Sequence, residues 1–404
     1  MSRSSEWRNL AVSGHASAVK TTLVDRLLAA AGALHGAPNV ADQTSICDLD
    51  EEEKTHGHSI ESAVVHLRHG QANFNFIDTP GYSDFIGGMI GAMAAVDCAV
   101  ICINAHAGIQ LNTRRAMKEA EQAGIPRMIM ITKMDDPQAD YKAILGMCRD
   151  TWGNGVVPLQ VPLGEGSSLR DVACAIDLQF EARDAAMNLV HAHEQLVEKL
   201  VDTDETLMEQ YFEGVMPDAD ELRRLLKQVI AAGAVIPVLC SSATTGVGLL
   251  PLLDTLVDVA PKPAEVVRQF LSADGEIVTI DQAADGPVAA PVFQVRVDPF
   301  VQKLSYIRIF SGTLCKDQSI HISGVRKEVK LHPLLRLQGE QTKPIDSASA
   351  GEIVAVAKME DLHVGSSLGD LELPPIAFPE PMVGLAISPT KRGDEISCLL
   401  RCTN

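Results

Sequence analysis

An α/β fold with a mostly parallel sheet, followed by an all-β barrel, is what this sequence of 404 residues predicts. Strand-like and helix-like runs alternate through the first part of the chain, and that order implies parallel strands joined by crossover helices. Three strand-like runs end in short loops, GHASAVK, DTPGY and TKMD. Loops that follow parallel strands converge on one edge of the sheet. From Pro291 onward the helix signal gives out, and strand-like runs between turn residues read as a barrel of about 90 residues.

The elements follow in order. WRNLAVSG is a strand and loop, and TTLVDRLLAAAG a helix. The polar stretch PNVADQTSICDLDEEEKTHGHS lacks periodicity and reads as a long loop, a kind of segment that is usually functional or mobile. Its acidic run DLDEEEK (48–54) reads as a solvated face. SIESAVVHLRHGQANFNFID is a hairpin around HGQ, ending at Asp78. Then come a helix (DFIGGMIGAMAAV), an apolar strand (CAVICINA), a helix ended by Gly124 and the strand PRMIMITK. The stretch SLRDVACAIDLQFEARDAAMNLVHAHEQLVEKLVD is rich in helix formers, and ADELRRLLKQVIAAG is an amphipathic helix ended by Gly233. AVIPVLCSSA is one more strand and loop, and LLPLLDTLVDVA a last helix stopped by PKP. In the barrel the strand runs are PVFQVRVDPF, KLSYIRIFSGTL, SIHISG, KEVKLHPLLRL and EIVAVAK.

Composition bounds the function classes. A net charge of −19 argues against a wholly basic nucleic-acid binder, though not against local basic patches, and 4% aromatic residues leave little for base stacking. The N-terminus MSRSSEWRNL lacks the apolar core of a signal peptide, and the longest apolar run, AAVDCAVICINA, is too short to span a bilayer and carries Asp97. Nine scattered cysteines without a C-x-x-C pair read as free thiols in a reducing, cytoplasmic setting.

The loop GHASAVKTT nearly spells the phosphate-binding pattern G-x-x-x-x-G-K-[ST], with Gly14, Lys20 and Thr21 in place and Val19 at the second glycine. A strand-to-helix loop of this kind aims backbone N–H groups at an anion. Lys20 reaches the β- and γ-phosphates, and the Thr21 hydroxyl binds Mg²⁺. In DTPGY, Asp78 can hold Mg²⁺ through water and Gly81 offers an N–H where a terminal phosphate would sit. TKMD (132–135) is similar to the N-K-x-D pattern of GTPases, in which the Asp accepts from two guanine nitrogens; by that likeness Asp135 can do so and Lys133 can lie along the base. SSA (Ser241, Ser242, Ala243) resembles the S-A motif of GTPases, which contacts guanine O6 through a backbone N–H. Each motif alone is weak. Four in this order, each after a strand, are not chance.

Together with DTPGYSDFIGGMIGAMAAVDCAVICINAHAGIQLNTRRAMKEAEQAGIP, GVGLLPLLDTLVDVAPKP, VDPFVQKLSYIRIFSGTL and AFPEPMVGLAISP, these motifs make the chain resemble elongation factor G and its paralogues over residues 8–404. The resemblance implies a P-loop GTPase domain with a mostly parallel sheet and a helical insert over 1–262, the reduced insert lying near 156–235. A linker (263–290), a β-barrel second domain (291–375), and a linker with the start of a third domain (376–404) follow. It implies GTP or GDP with Mg²⁺ as ligands, the ribosome (its RNA and proteins) as partner, no membrane, and a monomer. The implied nucleotide contacts are Gly14, His15, Ala16, Ser17, Ala18, Val19, Lys20, Thr21 and Thr22, then Asp78, Thr79, Pro80, Gly81 and Tyr82. Thr132, Lys133, Met134 and Asp135, with Ser241, Ser242 and Ala243, complete the set. The metal ligands would be Thr21, Asp78 and, in HGHSI (56–60), Ser59 in place of the family threonine.

Three positions depart from the family. Val19 puts a stiff β-branched residue where glycine gives backbone freedom, so nucleotide binding is expected to weaken. Tyr82 stands in the place of the histidine that positions the attacking water, so Tyr82 and Lys20 are the catalytic candidates and hydrolysis is expected to be slow. Thr132 replaces an asparagine, so guanine preference should weaken but survive through Asp135. Two other readings remain open: a ribosome-binding factor that has lost GTP hydrolysis or nucleotide binding, and a ribosomal protection factor of the same build. Arg326, Lys327, Lys330 and Arg336 are either an exposed hairpin or a contact with ribosomal RNA. Arg114 and Arg115 read as a solvated helix face, and His66, His69, His191 and His193 show no ligand spacing.

Overall fold

A computed structural model describes residues 6–177, 184–203, 217–272, 274–298 and 302–380, with isolated positions in 208–213 and 384–389. Most of the expected third-domain start, and parts of the expected insert, lie outside the described residues. Two compact units are present: Glu6–Met89 with Val96–Val266, and Val267 onward with Ile90–Ala95.

The first unit is built on a sheet whose central strand is β1 (Trp7–Gly14), buried at every residue. β1 pairs in parallel with β3 (Ala72–Asp78) on one side and β4 (Cys98–Asn104) on the other. β5 (Arg127–Thr132), β9 (Ile236–Cys240) and the short β6 (Val156–Pro158) extend the sheet in parallel beyond β4. At the other edge β2 (Ala63–His69) forms the antiparallel hairpin with β3 around Gly70. The strand order is β2-β3-β1-β4-β5-β9-β6. β4 and β9 are apolar and buried along their length because helices cover a parallel sheet on both faces, whereas edge strand β2 keeps Arg68 in solvent.

The crossovers are α1 (Lys20–Ala30), α3 (Ile86–Ala95), α4 (Leu111–Gln122) and α5 (Tyr141–Trp152). Between α1 and α3 the chain also forms a short helix, α2 (Glu51–His56). The helix-former-rich stretch after residue 167 is helical only in part. Asp171–Cys174 is a strand, β8, paired antiparallel with β7 (Gln160–Leu163). Val172 and Ala173 are buried there, so pairing and burial override propensity. Helix α6 (Leu189–Val201) starts only at Asn188, whose side chain caps it. α7 (Ala219–Ala231) is capped by Asp218 and buries Leu222, Leu225, Leu226, Val229 and Ile230, as its periodicity requires. α8 (Leu249–Val259) closes the unit.

The second unit is antiparallel and β-rich. Its six-stranded sheet contains Ala289–Asp298, Gln302–Arg308, Leu334–Gln338, Gln341–Ile345, Ile353–Ala357 and Ser367–Gly369. The core of that unit includes Val292, Ile307, Ile309, Leu334, Val354 and Val356.

The carboxyl ends of β1, β3, β4, β5 and β9 lie at one edge of the first sheet, which carries GHASAVK, DTPGY, TKMD and SSA to the same side. Gly14, the last residue of β1, has φ 137°, and a Cβ there would lie 2.5 Å from the Cys102 carbonyl oxygen on β4. Gly14→Ala is therefore expected to cost about 2 kcal/mol or more, from backbone strain and overpacking together. The urea midpoint measures it; an unchanged midpoint would show that the sheet end yields freely.

Candidate functional site

From Gly14 the chain turns through one 3₁₀ turn, Ala16–Ala18, before α1 begins at Lys20. The His15 ring caps that turn, Nδ1 accepting from the Ser17 N–H at 3.3 Å. Val19 joins turn to helix at φ 48° and ψ 40°, in the left-handed region that costs a β-branched residue most. Lys20 is 5% exposed, and its ammonium donates to the His15 carbonyl at 3.1 Å. Burial lowers its pKa, and Asp78 partly offsets that. One acceptor among the described residues for three ammonium donors leaves a buried cation that suits an anion.

A cavity of about 560 Å³ opens beside this loop, within the range of small-ligand sites. Ala16, Val19, Lys20, Thr21 and Thr22 line it from the loop, Lys54, His56, His58 and Ser59 from the segment before β2, and Gly81 and Tyr82 from the segment after β3. A Cβ on Gly81 would sit 2.5 Å from both Lys20 Nζ and Ala16 Cα, so only glycine allows DTPGY to approach the loop. The tyrosine side chain itself is 47% exposed.

The three expected metal ligands meet. The Thr21 hydroxyl donates to Asp78 Oδ2 at 2.6 Å and lies 3.2 Å from Ser59 Oγ. Asp78 Oδ1 is buried and has no hydrogen-bond partner among the described residues. Hard oxygen donors around an unsatisfied carboxylate fit Mg²⁺, which takes few protein ligands beside phosphate and water. Thr79 locks the end of β3 to β1: its hydroxyl donates to Val12 O at 3.0 Å and meets Ser13 Oγ at 2.8 Å. Burial pushes the Asp78 carboxyl up to about 7, with Lys20 and Thr21 pulling the other way. Burial likewise raises Asp25 to about 6, and Asp48 on the cavity wall to about 6.

The acidic run corrects the solvated-face expectation. Asp48 is 1% exposed and Glu53 is fully buried. The Glu53 carboxylate accepts from the backbone N–H groups of Leu49, Asp50, Ile60 and Glu61, at 3.1 Å for Asp50, 2.7 Å for Ile60 and 2.9 Å for Glu61. The supposed loop is thus folded around α2, and Glu53 clamps its two ends. Glu51 and Glu52 do face solvent.

The expected base-recognition residues form a second cluster, outside the lining of that cavity. Asp135 Oδ1 accepts from the Ser242 hydroxyl at 2.6 Å, and Met134 N–H reaches Ser241 O at 3.4 Å. Lys133 holds φ 57°. Ala243 and Met134 are buried. The Thr132 hydroxyl sits 3.1 Å from the Ala18 carbonyl and 3.2 Å from that of Ile103, so it joins this cluster to the phosphate loop. Asn104, at the end of β4, makes a second tie that the sequence reading missed: its amide donates to Ser17 O at 3.2 Å and its oxygen accepts from the His106 and Ala107 N–H groups. A lone polar residue ending an apolar strand was the available signal.

Other sequence candidates are engaged elsewhere. His69 meets Asp254 at 2.6 Å and His193 meets the Ala175 carbonyl at 2.8 Å. In the second unit Lys330 pairs with Asp317 and Arg336 with Glu352, while Arg326 and Lys327 are exposed. Among the described residues no group of three or more His, Cys, Asp or Glu is placed to hold a metal, and no helix is long and apolar enough to cross a membrane.

A parallel sheet, a buried lysine in a strand-to-helix loop and four loops converging at its carboxyl edge define a P-loop nucleotide-binding domain. Residues 5–262 match the family model of the elongation factor Tu GTP binding domain, and 287–371 that of elongation factor G domain 2. The chain belongs to this elongation-factor GTPase family and is elongation-factor-G-like. An elongation factor G-like protein of Mycobacterium tuberculosis, matched in strains CDC 1551 / Oshkosh and ATCC 25618 / H37Rv, is 32% identical over 96% of this chain and 59% of its own length. A crystal structure of a Thermus thermophilus protein superposes with a TM-score of 0.83 at 32% identity, covering 98% of this chain and 60% of that one. The chain thus spans about three-fifths of the length of these relatives.

This geometry bears on stability as well as on binding. Val19 already occupies the left-handed well, so its dihedral strain falls on folding, and only crowding by its isopropyl group is left to weaken binding. Val19→Gly is expected to raise stability by at most about 1 kcal/mol, strain relief being partly offset by the freer unfolded chain, and to raise GDP affinity less than about tenfold. Denaturation and calorimetry on one preparation separate the two effects. Asp25, Asp48 and Asp78 bind protons more tightly folded than unfolded, where carboxyls titrate near 3.8. Their stabilisation is complete below that value and is lost as pH rises through about 6 to 7. Without metal or nucleotide, the melting temperature of Asp25→Asn relative to the parent should climb between pH 5 and 7.5, conditions chosen to bracket about 6. A flat difference would remove Asp25 from the account.

Proposed function

We propose that this chain is the nucleotide-binding part of an elongation-factor-G-like factor that binds GTP or GDP with Mg²⁺ and acts at the ribosome in the cytoplasm, with slow hydrolysis. The observation that carries this is the joint placement of two clusters on one loop. Thr21, Ser59 and Asp78 meet at its helical end, and Asp135 with Ser242 is tied to its turn through Thr132 and Ala18. Lys20 would hold the β- and γ-phosphates from its buried position, with the N–H groups of Gly14–Thr22 and Gly81 around them. Thr21 and Ser59 would ligate the metal and Asp78 would hold it through water; the ion, when bound, neutralises charge on the phosphate oxygens. Asp135 would select guanine, and the backbone of Ser241–Ala243 would support the base. The Thr132 hydroxyl keeps a tie to the phosphate loop, which supports the survival of guanine preference.

A second reading keeps the ribosome as partner without hydrolysis. Tyr82, half exposed where the family has histidine, favours it. In either reading the exposed Arg326 and Lys327 are candidate contacts for ribosomal RNA. The protein is expected to be a monomer.

Calorimetry with GDP, GTP and ADP in Mg²⁺ tests the proposal, with phosphate release measured with and without ribosomes. Binding of GDP but not ADP is expected, with slow release. No heat with any guanine nucleotide would sink it, and fast ribosome-stimulated turnover would sink the slow-hydrolysis part. Asp135→Ala should lose at least about tenfold in GDP affinity, as removal of hydrogen bonds to a charged partner costs about 1.5–3 kcal/mol.

A further inference from the structure

We propose that His58, rather than Tyr82, holds the water that attacks the terminal phosphate; this rests on the GTP-binding reading above. His58 lines the same cavity as Lys20, Thr21 and Gly81, and its ring lies against that of Tyr82, centroids 4.7 Å apart at 55°. The Phe85 ring is 6.0 Å away and the His56 ring 5.8 Å, so the imidazole sits within a group of rings beside the cavity. His56 itself is exposed, whereas His58 is half-buried. Its Nδ1 is buried and bonds to no group among the described residues. A nitrogen shut off from solvent cannot meet a water, so Nε2, the ring nitrogen left open, is the one that would hold a water in the cavity.

The backbone on both sides of His58 is fixed. Its own N–H donates to Glu53 O at 3.3 Å, the Ile60 and Glu61 N–H groups donate to the Glu53 carboxylate, and the Ser59 hydroxyl lies 3.2 Å from that of Thr21. Phosphoryl transfer rewards this kind of fixed positioning, since the nucleophile must be held in line with the leaving oxygen. The water oxygen bonds to the γ-phosphorus while the bond to the β–γ bridging oxygen breaks. That electron pair leaves with GDP, and the water's proton passes to the phosphate released. The imidazole accepts a hydrogen bond from the water and is unchanged. Tyr82 supplies a wall that orients the ring, and Glu53 acts as a positioning residue behind it.

The test uses the whole chain with GTP and Mg²⁺: single-turnover phosphate release with and without ribosomes, and calorimetry with GDP. His58→Ala should lower the rate at saturating GTP about 10²-fold, with GDP affinity and melting temperature close to the parent's. His58→Gln should recover most of that loss, because an amide oxygen can orient water in its place. Tyr82→Phe should lose less than His58→Ala. The inference is overturned if His58→Ala hydrolyses at the parent rate, if alanine and glutamine are equally impaired, or if Tyr82→Phe shows the larger loss. A parent that binds GTP without hydrolysing it overturns this inference alone. A parent that binds no guanine nucleotide overturns the reading beneath it as well.

Discussion

The bond from the Thr21 hydroxyl to Asp78, 2.6 Å long, is the contact on which the site depends. It joins the first turn of α1 to the end of β3, and so fixes two of the four loops to each other. Its acceptor is 1% exposed, with one carboxylate oxygen left without a partner among the described residues. Asp25 and Asp48 are buried as well, and each adds to the cost of ionising Asp78. Three carboxyls held up by burial, with Lys20 as the buried cation opposing them, describe a site whose protein groups do not balance by themselves. A divalent cation and a polyphosphate would supply the missing charges of both signs.

The altered motif positions look different once packed. Val19 does not prevent the loop from forming, since it takes the left-handed conformation the loop needs and the strain is carried by the fold. Thr132 cannot offer an amide, yet its hydroxyl reaches the Ala18 carbonyl. Tyr82 is the substitution with the least local compensation from its own side chain, and the residue against its ring is a histidine. The three changes around one ligand are thus not equivalent, and a count of motif mismatches would have treated them as such.

The segment before β2 shows why local reading fails where burial is decided by distant contacts. DLDEEEK is acidic enough to read as solvated, and two of its glutamates are. Glu53 differs only in facing inward, where four backbone N–H groups meet its carboxylate. Asp50 and Glu53 form a capping box that is local, but two of the donors, Ile60 and Glu61, come from beyond α2, and the burial of Glu53 depends on them. The same holds for Asn104, whose partners on the phosphate loop are remote in the chain. In β8, pairing with β7 overrode a run of helix formers for the same reason.

By itself the sequence determined the alternating strands and helices, the hairpin before DTPGY, the change to antiparallel structure in the second unit, and the four motif loops. These follow from periodicity, turn chemistry and residue spacing, which are local properties. Only the tertiary structure decided which acids are buried, which polar side chains tie one loop to another, and where His58 sits against Tyr82. Those outcomes depend on desolvation and on donors and acceptors brought together from distant parts of the chain, and neither is encoded in any short stretch of it.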